Sequence, residues 1–260
     1  AVPNLRANAN MDTAAWEYAP NDAVRGRAAN SKKIGQVRLT TQATPRNKFS
    51  FFIDWQGACE GSSLKTGGGC LERGDDWIAL GSIGFGSSSP EAAGNWDDRE
   101  RILQGNYNAP VTNRLLVEAG ISQLTSKWGG QVPFGAYTDN IPVTEQASNA
   151  LTRTPIANFT YRGLGTSPTL EQFHNSYRAS ASYVTGAHNV KFGYQGAYLV
   201  HYQWTNAYGP QMQYRFNNGI PNQVTIRETQ AQSNRVMFNA FYAQDQWTIK
   251  RLTLQGALRF

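Results

Sequence analysis

The segment SYVTGAHNVKFGYQGAYLVHYQW, residues 182–204, alternates apolar and polar side chains as strictly as any segment of the chain. After its Thr-Gly-Ala-His turn, the even-numbered positions are mostly apolar or aromatic: Val190, Phe192, Tyr194, Gly196, Tyr198, Val200, Tyr202 and Trp204. The odd-numbered positions include the polar residues Lys191, Gln195, His201 and Gln203, with Leu199 as the large apolar exception. A period of two is the pattern of a β-strand with two unlike faces. The segment therefore predicts a β-hairpin whose aromatic face meets either a protein core or lipid.

Similar alternation elsewhere predicts further hairpins, with tight turns near Pro45, Pro110 and Lys250. Long, mostly polar segments separate the hairpins, near residues 57–98, 129–174 and 205–234. Short turns on one side and long loops on the other are typical of outer-membrane β-barrels, whereas a β-sandwich has no reason to sort its connections by length. The strands, of roughly 9 to 15 residues, are long enough for a tilted bilayer crossing.

The predicted fold is therefore all-β: an antiparallel meander of long hairpins that forms part of a transmembrane β-barrel with long extracellular loops. We expect about eight membrane strands within residues 32–260, after an irregular segment at residues 1–31. The predicted location is the cell outer membrane, with lipid against the aromatic face and Tyr and Trp near its ends as interfacial anchors. The alternative is a secreted β-sandwich, either a carbohydrate-binding module or a hydrolase, whose aromatic faces would pack a core.

Composition excludes several other classes of protein. The 260 residues contain no run of roughly 18 apolar side chains, which excludes a transmembrane helix. The mean hydropathy of -0.51 is like that of a soluble protein, but alternating barrel strands conceal a lipid face in such an average. The formal net charge is +6, yet no basic cluster with interleaved aromatics occurs, so we expect no nucleic-acid partner.

The two cysteines, Cys59 and Cys70, flank the flexible stretch EGSSLKTGGG. No second cysteine pair or nearby histidine completes a zinc site. A disulfide that closes this loop is one expectation, and it implies an oxidising compartment. Two free thiols are the alternative.

The sequence shows none of the common catalytic motifs. It has no G-x-S-x-G elbow, no H-E-x-x-H pair and no phosphate-binding loop of the Walker type. We therefore predict no enzymatic activity, no cofactor and no metal site, with a secreted hydrolase on a β scaffold as the alternative.

Two sets of residues are candidates for contact with a ligand. Polar side chains on the predicted strands would line the barrel lumen: Arg38, Asp54, Glu118, Lys191 and Gln195. Tryptophans in or beside the long loops are candidate ligand contacts, since exposed aromatics stack on sugars and siderophores: Trp77, Trp96 and Trp128. Packing within the loops, or a position in the interfacial belt, is the alternative for these tryptophans.

Three segments resemble a known family of outer-membrane proteins. NAFYAQDQWTIKRLTLQGALRF, residues 239–260, resembles a hairpin of TonB-dependent receptors, and SYVTGAHNVKFGYQ, residues 182–195, resembles their Gly-x-His-x-hydrophobic-Lys-x-Gly hairpin. NAPVTNRLLVEAG, residues 108–120, is similar to the Oar-like receptors, which carry a carboxypeptidase-regulatory-like front domain. The resemblance covers the hairpins from about residue 32 to 260 and says little about the loops.

This resemblance implies a barrel of about 22 strands, filled by an N-terminal plug that couples to TonB. The implied function is uptake of a small-molecule, peptide or glycan ligand through the outer membrane. No plug-like region or TonB box is visible in these 260 residues. Two expectations therefore stay open: the chain is a fragment of a larger barrel, or about eight strands close by themselves.

Overall fold

The computed structural model describes residues 6–10, 14–25, 27–63, 87–131, 139–149 and 151–260. These residues form β-strands, the loops that connect them and one 3-10 turn at Pro90–Ala92. The strands, numbered in chain order, are β1 (Arg6–Asn8), β2 (Pro20–Arg25), β3 (Arg27–Thr44), β4 (Asn47–Ser63), β5 (Asn95–Pro110), β6 (Leu115–Gln131), β7 (Val143–Glu145), β8 (Phe159–Tyr161), β9 (Thr166–Thr185), β10 (His188–Ala207), β11 (Met212–Asn217), β12 (Ile220–Ile226), β13 (Gln230–Ile249) and β14 (Leu252–Arg259). No helix in this part of the chain is long and apolar enough to cross a membrane.

Eight of these strands form one sheet, the main sheet, in the order β14-β13-β10-β9-β6-β5-β4-β3. Every neighbouring pair in it is antiparallel, so the sheet is a meander of hairpins. Within the described residues the sheet is open, with β3 and β14 at its edges. The predicted all-β antiparallel meander of long hairpins is confirmed, and an open sheet of this kind is consistent with part of a barrel.

The connections between the eight strands alternate in length. Tight turns join β3 to β4, β5 to β6, β9 to β10 and β13 to β14, and these turns lie at one end of the sheet, the turn end. Thr44 Oγ1 holds the first of them by accepting hydrogen bonds from the backbone N–H groups of Arg46 and Asn47. Gly186 and Lys250 take left-handed backbone conformations, with φ of 55° and 54°, as tight hairpin turns require. The long connections lie at the opposite end, the loop end.

At the loop end the strands continue further than the alternation predicts. β4 runs to Ser63, β6 runs to Gln131 and β9 begins at Thr166. The described part of residues 1–31, expected to be irregular, contains β1 and β2, and β3 already begins at Arg27. The alternation misses these extensions because main-chain pairing, such as that of Arg27 with Ser63, prolongs the strands whatever the polarity of their side chains.

The main sheet has two chemically different faces, which the register defines because directly paired residues share a face. The outer face carries large apolar side chains that remain exposed: Val37, Leu39, Phe51, Ile53, Trp55, Ile121, Tyr177, Phe192, Tyr198, Met237, Phe241 and Leu258. Phe51 is 54% exposed and Phe192 is 59% exposed, so no layer of the described structure covers them. Within the described residues, the aromatic face therefore does not enter a core between two sheets, which is the packing that the β-sandwich alternative requires.

The register also staggers the hairpins along the sheet. One row of paired residues crosses the sheet through Thr41, Phe49, Tyr107, Ala119, Ala179, Tyr194 and Phe241. The turn that follows Thr41 is at Pro45, whereas the turn that follows Phe241 is at Lys250, more than twice as far along its strand. A progressive stagger of this kind accompanies the strand tilt of a barrel wall.

A second packed unit, the loop cap, is formed at the loop end from the long connections and the residues before β3. Its sheet has the order β12-β11-β7-β8. Its core contains Tyr18, Val143, Phe159, Tyr161 and Phe216. Trp16 and Tyr214 pack against this core, with their ring centroids 5.2 Å apart. Segments far apart in the sequence thus form a small hydrophobic core of their own.

Candidate functional site on the inner face and in the loop cap

The inner face of the main sheet, opposite the outer face, carries many of the polar residues of the long strands. The register places all five predicted lumen residues on it: Arg38, Asp54, Glu118, Lys191 and Gln195. Each of them lies between outer-face neighbours along its own strand, as the period of two requires. Residues that are distant in the sequence therefore share one surface.

Two of the predicted residues form an ion pair across β9. Lys191 Nζ donates to Glu118 Oε2 at 3.0 Å, and Ser180 Oγ donates to the same oxygen at 3.3 Å. Glu118 belongs to β6, Ser180 to β9 and Lys191 to β10, so the contact connects three neighbouring strands. Both charged side chains are partly exposed, and such a pair contributes at most about 1 kcal/mol to stability. Its main consequence is a fixed pair of charges on the inner face.

Arg178 reaches across β6 to the strand beyond it. Arg178 Nη2 donates to Asn106 Oδ1 at 2.7 Å, and its side chain passes directly over Gly120. A Cβ atom at Gly120 would lie 2.6 Å from Arg178 Nε, so only glycine leaves this path open. Arg178 and Asn106 are not among the candidate ligand contacts that the sequence predicts. Their contact follows from the register of β5, β6 and β9, which alternation alone does not give.

A cavity of about 510 Å³ opens on the inner face beside Arg178. Its polar wall includes Arg178, Asn106 and Gln195, which is one of the predicted lumen residues. Its apolar wall includes Leu199 and Phe238. The cavity therefore offers hydrogen-bond donors and acceptors on one side and an apolar surface on the other, which suits a solute with both kinds of groups.

The remaining two predicted lumen residues make local contacts. Asp54 is only 3% exposed and accepts a hydrogen bond from Gln36 Nε2, so its carboxylate is covered rather than presented to a solute. The Cζ atom of Arg38 lies 5.1 Å from the centroid of the Phe52 ring, a cation–π distance. Of this pair, Arg38 is the exposed charge.

In the loop cap, the buried carboxylate of Glu91 joins three chain segments. It accepts hydrogen bonds from Ser89 Oγ, from the backbone N–H of Arg162 at 3.0 Å and from the backbone N–H of Asn8 at 3.3 Å. Burial raises the pKa of the Glu91 carboxyl, and the hydrogen bonds partly oppose that rise. β1 is thus fastened to the connection after β4 and to the connection after β8.

Arg162 fastens the segment before β2 to the same cap. Its backbone has a left-handed φ of 76°, and its guanidinium donates to the carbonyl oxygens of Asn10, at 3.1 Å, and Ala15. The guanidinium carbon lies 4.6 Å from the centroid of the Trp16 ring. Burial lowers the pKa of Arg162, although an arginine remains charged at any physiological pH.

Glu145 is a second buried carboxylate, and it shapes the hairpin between β11 and β12. Its oxygens accept backbone N–H groups from Ala147 at 2.9 Å, Asn218 at 3.0 Å and Gly219 at 2.9 Å. Gly219 has a φ of 77°, which the tight turn requires. The two buried acids are therefore structural anchors of the cap, each satisfied by main-chain donors.

The predicted loop tryptophans have different outcomes. Trp128 lies near the end of β6 on the inner face and is partly buried. Trp96 belongs to β5, where its backbone pairs with Gly130, but its side chain lies outside the described residues, as does all of Trp77. Trp16, which the sequence did not mark because residues 1–31 show no period, is instead part of the cap.

The predicted disulfide also falls outside what the structure describes. The backbone of Cys59 pairs with Ser31 and Asp97 in the main sheet. The Cys59 side chain and the whole of Cys70 lie outside the described residues. Among the residues that are described, no group of three or more His, Cys, Asp or Glu side chains is arranged to hold a metal ion.

The staggered antiparallel sheet has an exposed apolar face and a more polar face opposite, and its fold is similar to part of an outer-membrane transporter barrel. Among solved structures, the chain is similar to the outer membrane transporter YddB from Escherichia coli, with a TM-score of 0.52 and 13% sequence identity. The similarity covers 89% of this chain and 27% of that chain, so this chain spans about a quarter of the transporter's length. At this identity the similarity shows the fold alone. No protein-family model matches the sequence, and no curated protein sequence matches it.

Proposed function

We propose that this chain forms part of the wall of an outer-membrane transport barrel and that a ligand passes through the lumen beside its inner face. The observation that carries the proposal is the outer face, where large apolar side chains remain exposed on strand after strand. An exposed apolar surface of this extent marks contact with a membrane or a partner. The sorting of short and long connections to opposite ends favours the membrane, and the fold of the similar transporter supports the same reading.

The orientation follows from the same features. Outer-membrane barrels place short turns on the periplasmic side and long loops outside, so the turn end is periplasmic and the loop cap is extracellular. β9, β10 and β13 have 20 residues each, roughly 65 Å of strand, which exceeds a tilted bilayer crossing. Their surplus length carries the cap above the membrane surface.

A larger barrel, closed by strands beyond this sheet, fits the open edges. Unpaired backbone groups at an exposed edge cost several kcal/mol each in hydrocarbon, so β3 and β14 need partners. The similar transporter is several times longer than this chain. The resemblance of three segments to TonB-dependent receptors, one of them (residues 108–120) to the Oar-like group, supports uptake that is energised by TonB through a plug domain.

The ligand enters from the loop cap and meets the inner-face charges along its way. The cavity beside Arg178, of about 510 Å³, is a recess that we assign to this path. Its mixed walls suit a small molecule, a peptide or a glycan, and the proposal keeps all three classes. We assign a transport role rather than an enzymatic one, since the similar structure is a transporter.

Membrane extraction tests the proposal. The complete polypeptide, expressed with an export signal in a Gram-negative host, should remain in the outer-membrane fraction after a high-salt wash and require detergent for release. On a gel, the unboiled sample should migrate differently from the boiled one because the folded barrel resists the detergent. A protein that stays in solution at high concentration without detergent would show that the outer face does not meet lipid.

A further inference from the structure

Basic side chains gather on the outer face at the loop end, immediately beyond the exposed apolar residues. Lys33, Arg99 and Lys127 lie in one row of paired residues, which crosses β4 at Gly57. Arg101 lies on the same face, one row nearer the turn end. All four basic side chains are exposed. We call these four residues, Lys33, Arg99, Arg101 and Lys127, the basic patch.

Strand pairing within the sheet does not by itself favour a cluster of like charges at these positions. Arg99 and Lys127 are directly opposite each other, a position in which like charges repel. Lys127 Nζ binds Glu171 Oε1 at 2.6 Å and lies 5.5 Å from the centroid of the Trp204 ring. Glu171 lies in the same row, and the register puts Asp97 one row further toward the loops. The four basic residues outnumber these two acids, so the outer face at this level is positively charged.

The patch lies at the depth of a lipid headgroup. Lys33 is separated from the turn at Pro45 by roughly 40 Å of strand, or about 30 Å along the barrel axis at a tilt of about 40°. The apolar band of an outer-membrane barrel is about 25 Å tall, so Lys33 lies just beyond it. Trp55, paired with Arg101, is 51% exposed, and tryptophan prefers this interfacial level.

We propose that the basic patch binds the phosphate headgroup of an anionic lipid in the leaflet at the loop end. Below the patch, the exposed side chains Phe51, Ile53 and Ile121 provide an apolar surface for the acyl chains. Gly57, between Lys33 and Arg99 in the row, has no side chain, and the Trp55 ring lies 3.8 Å from the position that its Cβ would take, so an interfacial aromatic ring lies directly beside the basic residues. One anionic lipid molecule thus matches both features: its phosphate matches the charge of the basic patch, and its acyl chains match the apolar surface below the patch. This inference rests on the proposed function because it needs a membrane against the outer face.

Native mass spectrometry of the detergent-solubilised complete protein tests the inference. The protein is titrated at low ionic strength with phosphatidylglycerol and, separately, with phosphatidylcholine. The test variant is Arg99→Gln/Arg101→Gln, which removes two charges from the patch. The matched control is Lys32→Gln/Lys48→Gln, which removes two charges from exposed positions on the inner face of β3 and β4. Gel migration before and after boiling verifies that each variant is folded.

We expect the unchanged protein to bind phosphatidylglycerol in preference to phosphatidylcholine. A basic residue near a membrane surface contributes about 1 kcal/mol to anionic lipid binding, so the test variant should bind phosphatidylglycerol about 30-fold more weakly. The control should bind it as the unchanged protein does. Equal binding of both lipids, or an equal loss in both variants, would overturn the inference while leaving the detergent requirement, and hence the proposed function, intact.

Discussion

Replacing Gly120 by alanine should break the contact of Arg178 with Asn106. The added methyl carbon would lie 2.6 Å from Arg178 Nε and 3.1 Å from its Cγ, and real Cβ atoms essentially never approach other atoms as closely as the first of these distances. Arg178 must then leave its path over β6, and the 2.7 Å hydrogen bond to Asn106 Oδ1 is lost. The inner-face cavity loses Arg178 from its polar wall as a result.

The magnitude is the sum of two opposing effects. A hydrogen bond from a charged donor contributes roughly 1.5 to 3 kcal/mol, which exposure to solvent reduces to about 1 kcal/mol here. Alanine in place of glycine stabilises the folded state by roughly 0.4 to 1 kcal/mol because it restricts the unfolded chain. Gly120→Ala alone should therefore change the free energy of unfolding only slightly. In an Arg178→Ala background the same substitution should stabilise the protein, which leaves a coupling of about 1 kcal/mol between the two sites.

The assay is urea unfolding in lipid vesicles, followed by tryptophan fluorescence, for both single variants and the double variant. Gly105→Ala is the matched control, since a Cβ at Gly105 would meet only apolar side chains on the outer face, Ile121 Cγ2 at 3.3 Å and the Phe51 ring at 3.9 Å. The control should show no coupling to Arg178→Ala. If Gly120→Ala has the same effect with and without Arg178, within about 0.5 kcal/mol, the reasoning about this crossing is refuted.

Three further predictions concern the outer face and the loop cap. Ile121→Lys, on the outer face, should destabilise the membrane-inserted protein by roughly 2 to 4 kcal/mol, whereas Ser122→Lys on the inner face should cost much less; urea titration in vesicles compares them. Because burial raises the pKa of Glu91, the folded cap favours its protonated form, so cap stability should be highest at acidic pH and fall as the pH rises through the raised pKa. Limited proteolysis across that range should show this, and Glu91→Gln should remove it. Arg162→Met removes the donors to Asn10 and Ala15, so hydrogen exchange in residues 14–18 should accelerate while β10 stays protected.

The main sheet was predictable because the alternation of apolar and polar residues in a strand can be recognised from the local sequence alone. The segment 190–204 has one apolar face whatever its partners are, and the same holds for the strands around Pro45. Once both faces are assigned, residues such as Glu118 and Lys191 must lie on the polar one. Their ion pair, however, also depends on the register of β9 between them, which comes from tertiary pairing.

The loop cap was not predictable in the same way. Its core joins Tyr18, Phe159 and Phe216, which belong to distant segments without any period, so their contact is decided only by tertiary packing. Glu91 lies in the stretch SSSPEAAG, where nothing marks it as a buried acid. Its burial is possible because Ser89 and the main-chain N–H groups of Asn8 and Arg162 satisfy it, and those partners are visible only in the folded chain.

The central claim is that the outer face of the main sheet contacts the hydrocarbon of a membrane. Measuring the accessibility of nitroxide spin labels tests this claim most directly. Single probes at Phe192→Cys and Phe241→Cys on the outer face, and at Gln195→Cys on the inner face, are placed in a background without the two native cysteines and reconstituted in vesicles. The outer probes should collide mainly with oxygen, which concentrates in lipid, and the inner probe mainly with a water-soluble nickel complex. Outer probes shielded from both reagents, as in a packed protein core, would contradict the claim.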